Sequence, residues 1–181
     1  MSFTLKGVRV NISFWFLFFI SIVSFYSHNF YLTLLSLVLH EISHTLMLYI
    51  FKGKITEIDL KLTEINIKSN VTSLPRHKAL LVLFIGPFSN IIAALLFKDL
   101  NTDIALINLI LGVFQLLPVD SSDSDNMLQV IFNGKGRKIL RMVYFIFAFI
   151  IFMLGIEVLV LSRYNYSLLS LGIFLIVKTL L

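Results

Sequence analysis

The chain has 181 residues, of which 58% are apolar and 18 are phenylalanine, and its mean hydropathy is +0.94. Those values exclude an ordinary soluble domain and place the chain among integral membrane proteins. The formal net charge is +5 and cysteine is absent, which excludes disulfides and thiol chemistry.

Apolar runs of membrane length predict about six spans, near residues 10–27, 30–51, 79–97, 103–118, 139–162 and 164–181. Lys6 and Arg9 precede the first run as in a signal peptide. The run is too long for one, however, and no small-residue cleavage site follows "FYSH", so the span is expected to be retained. Six spans use up most of the chain, so a single membrane domain over residues 1–181 is expected, with no appended soluble domain.

The second span holds "HEISH" at residues 40–44 within an otherwise almost uncharged segment. On a helix, His40 and His44 are separated by about 400° and one turn of rise, so both imidazoles leave the same face and can hold one metal ion. Glu41 stands beside them. In this H-E-x-x-H arrangement two histidines bind zinc and the glutamate takes a proton from a water. Ionisable groups at membrane depth are costly, which weighs against a mere helix contact. His28 and His77 fall at predicted span ends and read as solvated or interfacial side chains.

After the second span, "GKITEIDLKLTEINIKSN" places Ile58, Leu60 and Leu62, then Ile65 and Ile67, in alternation with polar residues. That pattern predicts a small β-hairpin. The third span contains "GPFSN" at residues 86–90, and the fourth runs into "LLPVDSSDSDN" at residues 116–126. There Pro118 stops the helix, and three aspartates must find water or buried partners. A catalytic zinc needs a third protein ligand, and Asp120, Asp123 or Asp125 can supply it. Glu157, in the fifth span, reads as a second functional carboxylate or a polar contact within the bundle.

Thirteen of the fifteen basic residues fall on one side of the predicted spans, leaving Lys98 and Arg163 on the other. The positive-inside bias therefore puts both termini, the hairpin and the aspartate loop in the cytoplasm. The positive charge reads as topology and contact with anionic lipid, with no nucleic-acid partner expected.

In "HEISH", "GPFSN" and "QLLPVDSSDSDN" the chain resembles the site-2 protease family of intramembrane zinc metalloproteases, over nearly its whole length. The family pattern is H-E-x-x-H, a Gly-Pro motif with a following Asn, and N-x-x-P-x-x-x-x-D-G. Here Gln115 stands in place of the Asn and Ser124 in place of the Gly. The size and the strand-rich insertion look like the branch that includes bacterial sporulation proteases, without its regulatory domain and without a peptide-binding module. The register of the third motif implies Asp123 as the third zinc ligand. The resemblance also implies that Asn90 engages the substrate backbone or the developing oxyanion, although Gly86, Pro87, Ser89 and Asn90 also suit close helix packing.

The expectation is an all-α membrane protein of about six transmembrane helices with a cytoplasmic-side β-hairpin after the zinc helix. It would be a multi-pass protein of the cell membrane, with one Zn2+ per chain on His40, His44 and Asp123, and with Glu41 as general base. It would cleave peptide bonds in or near transmembrane segments of single-span or membrane-associated substrates, with a regulatory membrane partner. The alternative is an inactive relative that binds membrane clients. A metal transporter is disfavoured, because it would spread polar residues along a path.

Overall fold

The computed structural model describes residues 2–5, 8–12, 29–53, 55–61, 64–69, 74–120, 122–133 and 136–180. The chain divides into two compact units, residues 1–112 and 113–181.

The first unit contains a four-stranded sheet of β1 (Ser2–Leu5), β2 (Val8–Ile12), β3 (Ile55–Lys61) and β4 (Glu64–Ser69), in that spatial order. β1 and β2 are antiparallel, β2 and β3 parallel, and β3 and β4 antiparallel, with Ile58 opposite Ile67 and Leu60 opposite Ile65. Residues 8–12 are therefore strand, where the predicted first span was placed from residue 10. Residues 13–28 of that span lie outside the described residues. The period-two alternation of "VRVNI" is strand patterning, and pairing with β3 satisfies a backbone that a short polar-flanked helix start would leave open.

Helix α1 (Phe30–Ile50) follows the second predicted span closely. It ends where Lys52 takes a left-handed conformation at φ 57° and the Gly53 N–H donates to Leu48 O at 2.9 Å, closing the last turn. α2 (Arg76–Phe97) begins directly after Pro75 and carries Pro87 in its interior, which cannot donate to Leu83 O. α3 (Thr102–Leu116) is capped by Asn101, whose Oδ1 accepts the Ile104 N–H at 3.1 Å. Its buried residues Ile104, Asn108 and Gly112 recur every four positions, so one stripe faces inward. A Cβ on Gly112 would stand 2.8 Å from Pro87 O, so the missing side chain is what lets α3 approach α2 there.

In the second unit, α4 (Asp123–Ile131) is capped by Ser122, whose Oγ accepts the Asp125 N–H at 3.2 Å. α5 (Arg137–Ser162) starts after Gly136, at φ 88°, and stops at Arg163, whose N–H donates to Leu159 O at 2.8 Å. α6 (Ser167–Leu180) returns alongside α5. The core of this unit is Val119, Ala148 and Leu175, surrounded by Phe114, Leu117, Ile151, Leu171 and Ile176.

Among the described residues, α1, α2 and α5 are long and apolar enough to cross a membrane. Their exposed flanks carry Leu46, Leu95, Ile146 and Val160, side chains that suit a lipid environment. The predicted spans at 103–118 and 164–181 are helices of 15 and 14 residues, about 22 and 21 Å long, against a hydrocarbon core of about 30 Å. Six full spans are thus not what the described residues contain. The apolar runs were continuous there because capping turns at Asn101 and Asn165 and the break at Pro118 shorten helices without interrupting hydropathy for long.

The α5–α6 contact depends on two glycines. A Cβ on Gly155 would stand 2.6 Å from the Leu169 backbone, and one on Gly172 2.5 Å from Phe152 Cα. Gly172→Ala must push the helices apart, and the expected destabilisation is about 1–3 kcal/mol. It should appear as a lower thermal midpoint of the detergent-solubilised protein, and an unchanged midpoint would show that this contact tolerates a side chain.

Candidate metal centre

The site in the first unit begins with spacing. Residues 40 and 44 share a face of α1, and their rings meet edge to face with centroids 4.7 Å apart and planes at 82°. His40 Nε2 and His44 Nε2 are 3.1 Å apart. Each ring is held from behind by its other nitrogen: His44 Nδ1 lies 2.7 Å from Val82 O, and His40 Nδ1 lies 3.1 Å from Asn90 Oδ1. A backbone carbonyl only accepts, so the His44 Nδ1 carries hydrogen and its Nε2 presents a lone pair when the ring is neutral.

The donor set fits a zinc ion. Two nitrogens bound at 2.0–2.1 Å on a tetrahedral ion stand about 3.3 Å apart, close to the 3.1 Å seen here. A metal-binding histidine typically donates its other N–H to a carbonyl or carboxylate, as Val82 O receives it here.

Gly86 makes room for this pair. A Cβ at that position would lie 2.5 Å from His44 Cε1 and 2.9 Å from His40 Cε1. Gly86 and Asn90 are buried on the face of α2 turned toward α1, and Pro87 is buried beside Gly112 of α3. The Ser89 hydroxyl is tied back to Gly86 O at 2.7 Å. Glu41 is half-buried on the adjoining flank of α1 and lines a recess of about 450 Å³ with Val38, Ile42, Thr45, Leu46 and Tyr49.

Asn90 is fully buried, and both amide hydrogens are directed at protein acceptors: Asn108 Oδ1 at 3.2 Å and Ser36 O at 3.4 Å. The oxyanion role expected for it requires a hydrogen aimed at substrate, and this geometry aims neither there. Asn108 and Ser36 were not singled out from sequence. The signal was present, since Asn108 is a buried amide within the apolar run "IALINLILGVF".

In the second unit, Asp123 is the first residue of α4, and its N–H donates to Gln115 Oε1 at 3.3 Å. The glutamine at the departing position of the third motif thus ties the end of α3 to the aspartate. Ser124, at the other departing position, is buried and donates to Leu117 O. Asp125 is buried and accepts from Tyr144 Oη at 2.6 Å and Gln129 Nε2 at 2.9 Å. Asp120 and Asp125 line a cavity of about 260 Å³ together with Arg137, Arg141 and Lys178. Lys178 Nζ donates to Asp120 O at 3.3 Å. Glu157 is exposed on α5, and His77 is exposed at the start of α2.

Because a Cβ on Gly86 would meet the Nε2–Cε1 edge of the rings, Gly86→Ala should displace them and weaken zinc binding roughly 10–100-fold. Zinc titration against a chelator checks this, with helix content by circular dichroism as the folding control. Unchanged affinity would mean that the rings yield without losing their alignment.

No family model matches the chain, and no curated protein matches it in sequence. Among solved structures, a site-2 protease from Methanocaldococcus jannaschii is similar over 99% of this chain and 94% of that one. The TM-score is 0.62 and the sequence identity 23%. The chain therefore has the fold of a site-2 protease.

Proposed function

We propose that the chain is an intramembrane zinc endopeptidase of the site-2 protease family. The observation that carries this reading is the pair of imidazole Nε2 atoms 3.1 Å apart, with the His44 ring oriented by the Val82 carbonyl. The H-E-x-x-H spacing, the apolar helices and the likeness in fold support it. In this reading His40 and His44 hold the ion together with Asp123, the aspartate that the register of the third motif implies, and two imidazoles with one carboxylate leave a fourth position open.

Bound zinc would supply Lewis acidity toward a water and a carbonyl. The chain's own contribution is the Glu41 carboxylate, which takes a proton from the attacking water and passes it to the amine nitrogen as the C–N bond breaks. The recess beside Glu41, walled mainly by apolar side chains, suits an apolar peptide segment. A substrate helix hides its carbonyls in its own hydrogen bonds and must unwind locally before it is cleaved. The edge of β4 could receive the unwound segment by strand addition. In this reading the protein is multi-pass in the cell membrane with cytoplasmic termini. Its substrates are single-span or membrane-associated proteins, and a membrane partner regulates it.

Glu41→Gln should abolish cleavage of a co-expressed single-span substrate while zinc stays bound, because the base is lost and both imidazoles remain. Full peptidase activity in the purified variant would sink the mechanism.

The choice among the aspartates gives a separate expectation. Asp123→Ala should lose zinc and activity together. Asp125→Ala should keep zinc but lower stability by about 1.5–3 kcal/mol through the loss of charge-assisted hydrogen bonds. Zinc retained at full stoichiometry in Asp123→Ala and lost in Asp125→Ala would reassign the ligand.

A further inference from the structure

The geometry points to Ser36 and Asn108 as positioning residues that lock the Asn90 carboxamide and, through it, the tautomer of His40. This rests on the proposed metal site but concerns groups that would touch neither metal nor substrate. The direction of every hydrogen bond in the chain follows from two backbone carbonyls. Ser36 Oγ donates to Leu32 O at 2.8 Å, so its lone pairs face the Asn108 amide. Asn108 Nδ2 lies 2.8 Å from that hydroxyl and 2.8 Å from Ile104 O. Both neighbours accept, which fixes Asn108 with its Oδ1 toward Asn90. That oxygen receives Asn90 Nδ2 at 3.2 Å, so Asn90 Oδ1 is turned toward His40 Nδ1 at 3.1 Å. An amide oxygen only accepts. His40 must therefore carry hydrogen on Nδ1 and present a lone pair from Nε2.

Burial makes the relay consequential. Asn90, Asn108, Ser36 and His40 are 0%, 1%, 1% and 3% exposed, so water does not readily stand in for any member. An inverted Asn90 would set its Oδ1 against Asn108 Oδ1, two acceptors face to face, and its NH2 against His40 Nδ1, which would favour the tautomer with hydrogen on Nε2, aimed at the ligand position. Three helices contribute to this one specification, Ser36 and His40 from α1, Asn90 from α2 and Asn108 from α3. Asn90 thereby acts through His40, with its own hydrogens engaged inside the protein.

The test uses full-length protein labelled with 15N-histidine, observed metal-free by NMR, followed by zinc titration. The His40 signals are assigned by their loss in His40→Gln. Asn, Asp and Leu are close in size, so Asn90→Asp and Asn90→Leu separate chemistry from packing. Wild type and Asn90→Asp, which keeps an acceptor toward His40 Nδ1 while losing the donors toward Asn108 Oδ1 and Ser36 O, should both show His40 hydrogen on Nδ1 and bind zinc more tightly than Asn90→Leu. Asn90→Leu and Asn108→Leu should lose that tautomer and bind zinc about 10–100-fold more weakly. Ser36→Ala, a gentler change, should shift the tautomer in the same direction and carries the test if Asn108→Leu does not fold. Equal behaviour of Asn90→Asp and Asn90→Leu, or an unaltered tautomer in Asn108→Leu or in Ser36→Ala, would overturn the relay. A wild-type protein with the Nδ1–H tautomer but no zinc affinity would refute the metalloprotease reading and leave the relay standing.

Discussion

Everything at the candidate centre depends on two imidazoles whose Nε2 atoms stand 3.1 Å apart. Such a pair does not hold itself. Each ring is pulled from behind by an acceptor on α2, Val82 O for His44 and Asn90 Oδ1 for His40, and each is given room by the absent side chain of Gly86. α2 thus serves α1 in two ways, supplying acceptors at two heights and a gap between them. Val82, Gly86 and Asn90 are spaced by four residues, so one stripe of one helix performs all three tasks.

An apolar setting raises the stakes for this stripe. A buried polar group without a partner costs far more than a satisfied one returns, and lipid offers no substitute. Among the described residues no buried side-chain nitrogen or oxygen lacks a partner. The first unit meets that demand by ending its hydrogen-bond chain on the carbonyls of Leu32, Ser36 and Ile104, which α1 and α3 already carry. The second unit does the same with Asp125, whose carboxylate takes a phenol and an amide.

The parts legible from sequence were those set by local spacing. The HEISH pair, the long runs of α1, α2 and α5, and a helix starting near Asp123 all follow from periodicity, capping chemistry or the position of a proline. Hydropathy was misleading where a strand or a short helix was itself apolar. The apolar residues of "VRVNI" run on into the first predicted span, and only its alternation marks β2. Asn90 was singled out from the Gly-Pro motif, but which way its amide faces is decided by Asn108 and Ser36, 18 and 54 residues away in the chain. No local pattern encodes that.

The parallel pairing of β2 with β3 has a consequence for how the protein is made. Val10 lies opposite Ile58, and the whole of α1 falls between them. During synthesis the amino-terminal strands therefore emerge with one edge open and stay so until the helix bearing the histidines has been translated and has left the ribosome. Closing so large a loop adds little entropy beyond a smaller one, since the cost grows only logarithmically with length, yet it imposes an order of events. The ladder between β2 and β3 can be completed only once the helix bearing the histidines has been translated.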